Sequence, residues 1–132
     1  MQDAADYVEE GTKGKKSEKV DHKNVASKHE SGALEVYATP AMIGLMEAAS
    51  VRAVDESLPE GWITVGLSLD VKHIAPTPKG KNVTAESTLI EIQGRKLVFD
   101  IEAYDDEEKV GIGKHERFCV SKEEFMKHAE NK

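Results

Sequence analysis

A hydroxyl, a carboxylate and an imidazole stand in this chain where their neighbours explain them least: Thr39, Glu47 and His73. Side chains of these types suit acyl transfer or hydrolysis. A carboxylate or imidazole takes a proton, a hydroxyl attacks or anchors a water, and helix-terminal N–H groups favour developing negative charge. Glu47 belongs to a segment, Thr39 to Val54, that reads as one amphipathic helix. At about 100° per residue, Ile43, Met46, Ser50, Val51, Ala53 and Val54 share an arc, and Glu47 lies inside it. Arg52, Asp55 and Glu56 fall on the opposite side. A carboxylate on the core face of a helix is costly unless it has a partner or a task. His73 continues the alternation Val65, Leu67, Leu69, Val71, so its ring is expected on the same face of a strand as those apolar residues, turned toward the helix. Glu47 and His73 are thus expected to meet in one interior.

Each residue also has a plainer explanation. Thr39 before Pro40 is a well-formed helix start, with Thr as the cap and Pro at the first helical position. An inward histidine is commonly a hydrogen-bonded core residue. Glu47 could pair with a buried basic side chain, and Arg117 is the candidate.

The elements that must position these groups emerge from periodicity. Residues 1–15 are polar and expected to be loosely ordered, with a weak edge strand near 16–22. The helix should stop near Ser57, before Pro59 and Gly61. The pattern then changes from a period of 3.6 to a period of 2, giving strands around 65–71, 83–92, 97–103 and 110–120. A turn at Ala75 to Gly80 and a tight reversal at Gln93-Gly94 separate them. Ser121-Lys122-Glu123-Glu124 opens a short C-terminal helix over 121–132. The order predicts an α+β fold in one domain, 1–132: an antiparallel sheet of about five strands on one long helix. One helix leaves much of such a sheet uncovered, so a homodimer is expected.

Composition narrows the function. The 132 residues fit one core, and a net charge of -7 argues against nucleic acid as a partner. No segment approaches the roughly 20 apolar residues of a membrane span, and the acidic N-terminus lacks a leader's apolar stretch. A cytoplasmic protein with no membrane partner is the expectation. Cys119 is the single cysteine, which leaves no disulfide within the chain and no cysteine-based zinc cage. His115 with His73 and Glu47 lacks any metal-ligand spacing, so no metal is expected.

Three blocks carry a resemblance: Ala38-Thr39-Pro40-Ala41-Met42-Ile43-Gly44-Leu45-Met46-Glu47, His73-Ile74-Ala75-Pro76-Thr77-Pro78 and Gly113-Lys114-His115-Glu116-Arg117. In order and spacing they resemble the fluoroacetyl-CoA thioesterase-like family of hot-dog proteins, over most of the chain. The resemblance implies a hot-dog fold, a sheet wrapped around a long helix, dimerising side by side. It implies an acyl-CoA thioesterase, hydrolysing a small acyl-CoA with catalytic roles on Thr39, Glu47 and His73. It places Gly66 near the thioester carbonyl and Arg117 beside the site, with no cofactor beyond the CoA of the substrate. Fluoroacetyl-selective members carry phenylalanines before the helix. Residues 29–34 here have no aromatic, so the resemblance implies thioester cleavage without that selectivity. Lys72, Lys79, Lys81, Arg95, Lys96 and Lys114 are the basic residues that could meet the CoA phosphates. A hot-dog dehydratase or hydratase, or a non-catalytic acyl-CoA binding module, are the alternative functions.

Overall fold

The computed structural model describes residues 1–132. Five strands, β1 (Lys13–Lys19), β2 (Trp62–His73), β3 (Asn82–Gln93), β4 (Lys96–Tyr104) and β5 (Lys109–Ser121), form one antiparallel sheet in the order β1-β3-β4-β5-β2. A one-turn helix, α1 (Ala26–His29), precedes the long helix α2 (Thr39–Val54), and α3 (Lys122–Glu130) closes the chain. The sheet curls around α2, which packs mainly on β1 and β3 and only lightly on β2. This is the arrangement the periodicities imply. β2 is an edge strand, and the helix flank above it is thinly covered.

Alternation explains the core. Leu89, Leu97, Phe99, Ile101 and Ala103 point inward from β3 and β4 and are buried against α2. The helix contributes Met42, Leu45, Met46, Ala49, Ala53 and Val54. Two of its turns lie so close to β1 that a Cβ on Gly14 would strike the backbone of Ala49 and Ala53. α3 starts as expected, with the Ser121 hydroxyl accepting from the Glu124 N–H at 3.4 Å.

Four expectations need correction. Residues 1–15 are built into the fold: Ala4 and Val8 are buried, the Ala4 N–H bonds to the Gly94 carbonyl, and β1 begins at Lys13. Thr39 is not the cap of α2. Ala38 holds that position without a side-chain bond, which leaves the Thr39 hydroxyl free for another partner. The buried helix arc is rotated relative to the expected one, because the helix leans on β1 and β3. Ile43, Glu47 and Val51 lie on its half-buried flank. Finally, the odd-numbered series along β2 does not keep one face. Gly66 pairs with Arg117 and Ser68 with Glu116, so Leu67 is an extra residue, a bulge that reverses the alternation. Before it Thr64 is buried; after it Leu69, Val71 and His73 are half-buried, while Leu67 stands 58% exposed.

Candidate active site

Freed from capping, the Thr39 hydroxyl lies 2.8 Å from Nδ1 of His73. The helix supplies one partner at its first turn and β2 the other at its last residue. The Tyr37 ring stands edge-on to His73, with centroids 6.3 Å apart and planes at 83°. Tyr37 is itself held by its hydroxyl, which donates to Oε2 of Glu18 at 2.5 Å. Burial, followed by that carboxylate, raises the phenol's pKa, so it stays a neutral donor. Burial also lowers the His73 pKa, keeping the imidazole neutral near pH 7. In the tautomer whose Nδ1 accepts the Thr39 proton, Nε2 carries the hydrogen. Nε2 is buried and has no hydrogen-bond partner within the protein, and in that tautomer it is a donor. A cleft of about 330 Å³ opens on this pair between α1, the start of α2 and the end of β2. Val36, Tyr37, Ile74 and Ala75 line it, and no Lys, Arg, Asp or Glu does.

A second cluster lies two helical turns further along. Oε2 of Glu47 accepts from a terminal guanidinium nitrogen of Arg117 (Nη1) at 3.4 Å, and Glu47 remains 40% exposed while Arg117 is 6% exposed. One long contact leaves most of the carboxylate's acceptor capacity open. The guanidinium is fixed on its other sides. Nε donates to Thr64 Oγ1 at 2.8 Å, and Nη2 to the Thr64 carbonyl at 3.0 Å. Thr64 in turn donates its hydroxyl to Oδ1 of Asp55 at 2.6 Å. Burial pulls the Arg117 pKa down, and Asp55 and Glu47 oppose that pull. Beneath the Glu47 carboxylate runs Gly66, where a Cβ would come within 2.7 Å of Oε2. Glycine is what allows the acid to lie on the strand.

The five residues expected in the site therefore separate into two groups. Thr39 and His73 are bonded; Glu47, Gly66 and Arg117 are together; no contact joins Glu47 to His73 within the chain. Eight residues of α-helix separate Thr39 from Glu47 by about 12 Å along the axis. The expectation that acid and imidazole meet in one interior is corrected accordingly. The separation runs along the elements: Glu47 lies over Gly66, seven residues before His73 on β2, and the bulge between them keeps both positions on the inward face.

His115 is a site neighbour that the sequence offered only as an unsupported metal ligand. It is fully buried, with Nδ1 2.7 Å from the Ser68 carbonyl and Nε2 3.2 Å from Nη1 of Arg117. The signal was present in the alternation His115, Arg117, Cys119 on the inward face of β5. Cys119 is a core residue whose thiol is pushed up to about 11 by burial, a poor nucleophile. No group of three or more His, Cys, Asp and Glu side chains is arranged to hold a metal. Among the candidate CoA contacts, Lys79, Lys81 and Lys96 are paired with Glu35, Glu107 and Glu116. Lys72 and Lys114 share a groove on the sheet with Asp70, Asp100 and Glu102, and Arg95 lies over Trp62 and Phe118.

Comparison with known proteins bears on this geometry. A family model described as fluoroacetyl-CoA-specific thioesterase matches residues 20–123. A fluoroacetyl-CoA thioesterase of Streptantibioticus cattleyicolor is 41% identical over 91 residues, covering 69% of this chain and 66% of the relative, slightly less than two thirds of its length. The crystal structure of a phenylalanine-to-alanine variant of the fluoroacetyl-CoA-specific thioesterase FlK, in complex with fluoroacetate and CoA, superposes with a TM-score of 0.83 at 32% identity. It covers 89% of this chain and 99% of that one. A hot-dog-like protein from Thermanaerovibrio acidaminovorans gives 0.86 at 30% identity, over 94% of this chain and 92% of that one. The fold is the hot-dog, and the chain belongs to the fluoroacetyl-CoA-specific thioesterase family.

Proposed function

We propose that this protein is an acyl-CoA thioesterase that hydrolyses a small acyl-CoA to a carboxylic acid and free CoA, and that it works as a homodimer. The observation that carries the reading is the Thr39–His73 hydrogen bond at the mouth of an uncharged cleft. A hydroxyl that leaves its helix cap for a neutral imidazole has a polar task at that point. The similarity to a thioesterase crystallised with fluoroacetate and CoA supports the substrate class. The uncharged lining favours a small neutral acyl group.

Dimerisation accounts for the separation of the two clusters. β2 is a free edge carrying an exposed Leu67. A free edge strand is a template for pairing, and two copies paired antiparallel run the Gly66 end of one strand beside the His73 end of the other. In this reading the Glu47 of one protomer serves the Thr39 and His73 of its partner, and each dimer has two sites. Glu47 takes a proton from water as the oxygen adds to the thioester carbonyl. The Nε2–H of His73 and backbone N–H groups near Gly66 or the start of α2 hold the oxyanion, and Thr39 orients the water. The C–S bond then breaks and the proton held by Glu47 passes to the CoA thiolate. Thiols ionise near pH 8.5, so this leaving group needs little help. No cofactor takes part, and the reading places the reaction in the cytoplasm.

Thiol release from a panel of acyl-CoAs, from acetyl to longer and aryl chains, tests the assignment. Glu47→Gln and His73→Ala should each lower kcat at least about tenfold while the dimer persists by light scattering. Wild-type turnover in both variants, or loss of enoyl absorbance without thiol release, would overturn it.

A further inference from the structure

We infer that His115 is a positioning residue for Glu47, acting through Nη1 of Arg117. The inference rests on the proposed role of Glu47 as base, and it is carried by a chain of bonds whose directions have no freedom. Nδ1 of His115 faces the Ser68 carbonyl at 2.7 Å, which can only accept, so Nδ1 bears the hydrogen. Nε2 faces Nη1 of Arg117 at 3.2 Å, which can only donate, so Nε2 must be the acceptor. The two neighbours thus fix a neutral imidazole in one tautomer.

Nη1 is the same atom that reaches Glu47 at 3.4 Å. It has two hydrogens. One is taken by His115, and the plane of the guanidinium then aims the other at Oε2 of Glu47. Thr64 holds Nε and Nη2 and His115 takes the other hydrogen of Nη1, so the rigid planar group is seated by three bonds that together set the direction of this last hydrogen. The β2 bulge takes part too. It adds Leu67 between the pairs Gly66–Arg117 and Ser68–Glu116, beside the carbonyl that anchors Nδ1. His115 is fully buried, packs its ring against Phe99, and touches no solvent. Its effect on the reaction is accordingly indirect: without an acceptor at Nε2, a buried Nη1 hydrogen is left unpaired, the planar group tilts as a whole to relieve it, and the carboxylate loses its fixed direction over Gly66.

Two amide substitutions separate this role from packing. In His115→Gln the side-chain oxygen reaches the place of Nε2 and can still accept from Arg117. In His115→Asn the amide reaches only the place of Nδ1, keeps the Ser68 bond and leaves Nη1 without its acceptor. Measured by thiol release below the melting temperature of each variant, His115→Asn should lose at least tenfold in kcat with KM within about twofold of wild type. His115→Gln should stay within about threefold on both. Equal losses in the two variants, tracking their melting temperatures, would mean a packing role only and sink the inference. Should His115→Asn not fold, nitrogen NMR of the wild-type dimer decides: Nδ1 protonated and Nε2 an acceptor at pH 7 is expected, and the opposite tautomer or a charged ring overturns it. Glu47→Gln run alongside keeps the two claims apart. If it abolishes turnover while His115→Asn does not, only the present inference fails. If it is fully active, the base was misassigned and both fall.

Discussion

Thr39 shows how a single residue type can carry two complete explanations that only geometry separates. Thr followed by Pro is a strong helix-start signal, and the helix does start there, one residue out of register with that explanation. Ala38 is the cap residue, so the hydroxyl is released from the backbone and goes to His73. The two roles predict different costs. A capping threonine costs about 1 kcal/mol of stability when its oxygen is removed. A reactive one costs turnover. Thr39→Val, which keeps the shape and deletes the hydroxyl, should shift the denaturation midpoint little and lower kcat about tenfold or more. Thr39→Ser should keep most activity. A melting loss of the capping size with unchanged kcat would return Thr39 to a structural role.

At the level of elements, β1 and α2 approach backbone to backbone at Gly14. A Cβ on Gly14 would sit 2.5 Å from the Ala53 nitrogen and against the Ala49 carbonyl, with backbone on every side that could yield. Gly14→Ala should therefore destabilise by about 1–3 kcal/mol, the range for overpacking that forces backbone to move. Gly44 offers the contrast on the same helix. It is exposed with open space around it, so Gly44→Ala should stabilise by roughly 0.5–1 kcal/mol. Urea unfolding of both checks the helix's seating; a neutral Gly14→Ala would contradict it. The same elements show what the sequence made legible. Alternation along 83–92, 97–103 and 110–120 and the helical repeat from Thr39 placed β3, β4, β5 and α2 within a few residues. A bulge is different in kind. It belongs to the pairing of two strands, so nothing in the run Val65 to Val71 alone marks Leu67 as the extra residue. Glu47 was visible as a misfit for a good reason. Its side of the helix, however, depends on which strands the helix leans against, and that is decided by tertiary packing rather than by the helical repeat.

For the molecule as a whole, pH should act through one buried and one half-buried imidazole before it acts through the surface. His73 and His115 both have pKa values lowered from the ordinary value near 6.5, chiefly by burial, and for His115 the Arg117 charge adds to the effect. Below pH 6.5 the unfolded chain takes up protons that the folded protein refuses. Stability therefore rises with pH across that window, is fully present above about 6.5 and is lost as pH falls toward the folded-state values. Two other charge effects compete. The net charge of -7 diminishes on acidification, which relieves self-repulsion and works in the opposite direction. The lowered carboxylates Glu86, Glu102 and Glu116 are exposed or half-buried at the surface and paired to lysines, so their contribution is lost only nearer pH 4 and is weakened by salt. High salt consequently isolates the histidines. In about 0.5 M salt, at a fixed protein concentration because a dimer's stability depends on it, the denaturation midpoint should fall steadily from pH 7.5 to 5.5. His115→Gln has no proton to gain and should flatten part of that slope. A profile that stays level in salt, or a slope that His115→Gln leaves untouched, would mean that the buried ring is not refusing a proton and that the fixed neutral tautomer beneath Arg117 is wrong.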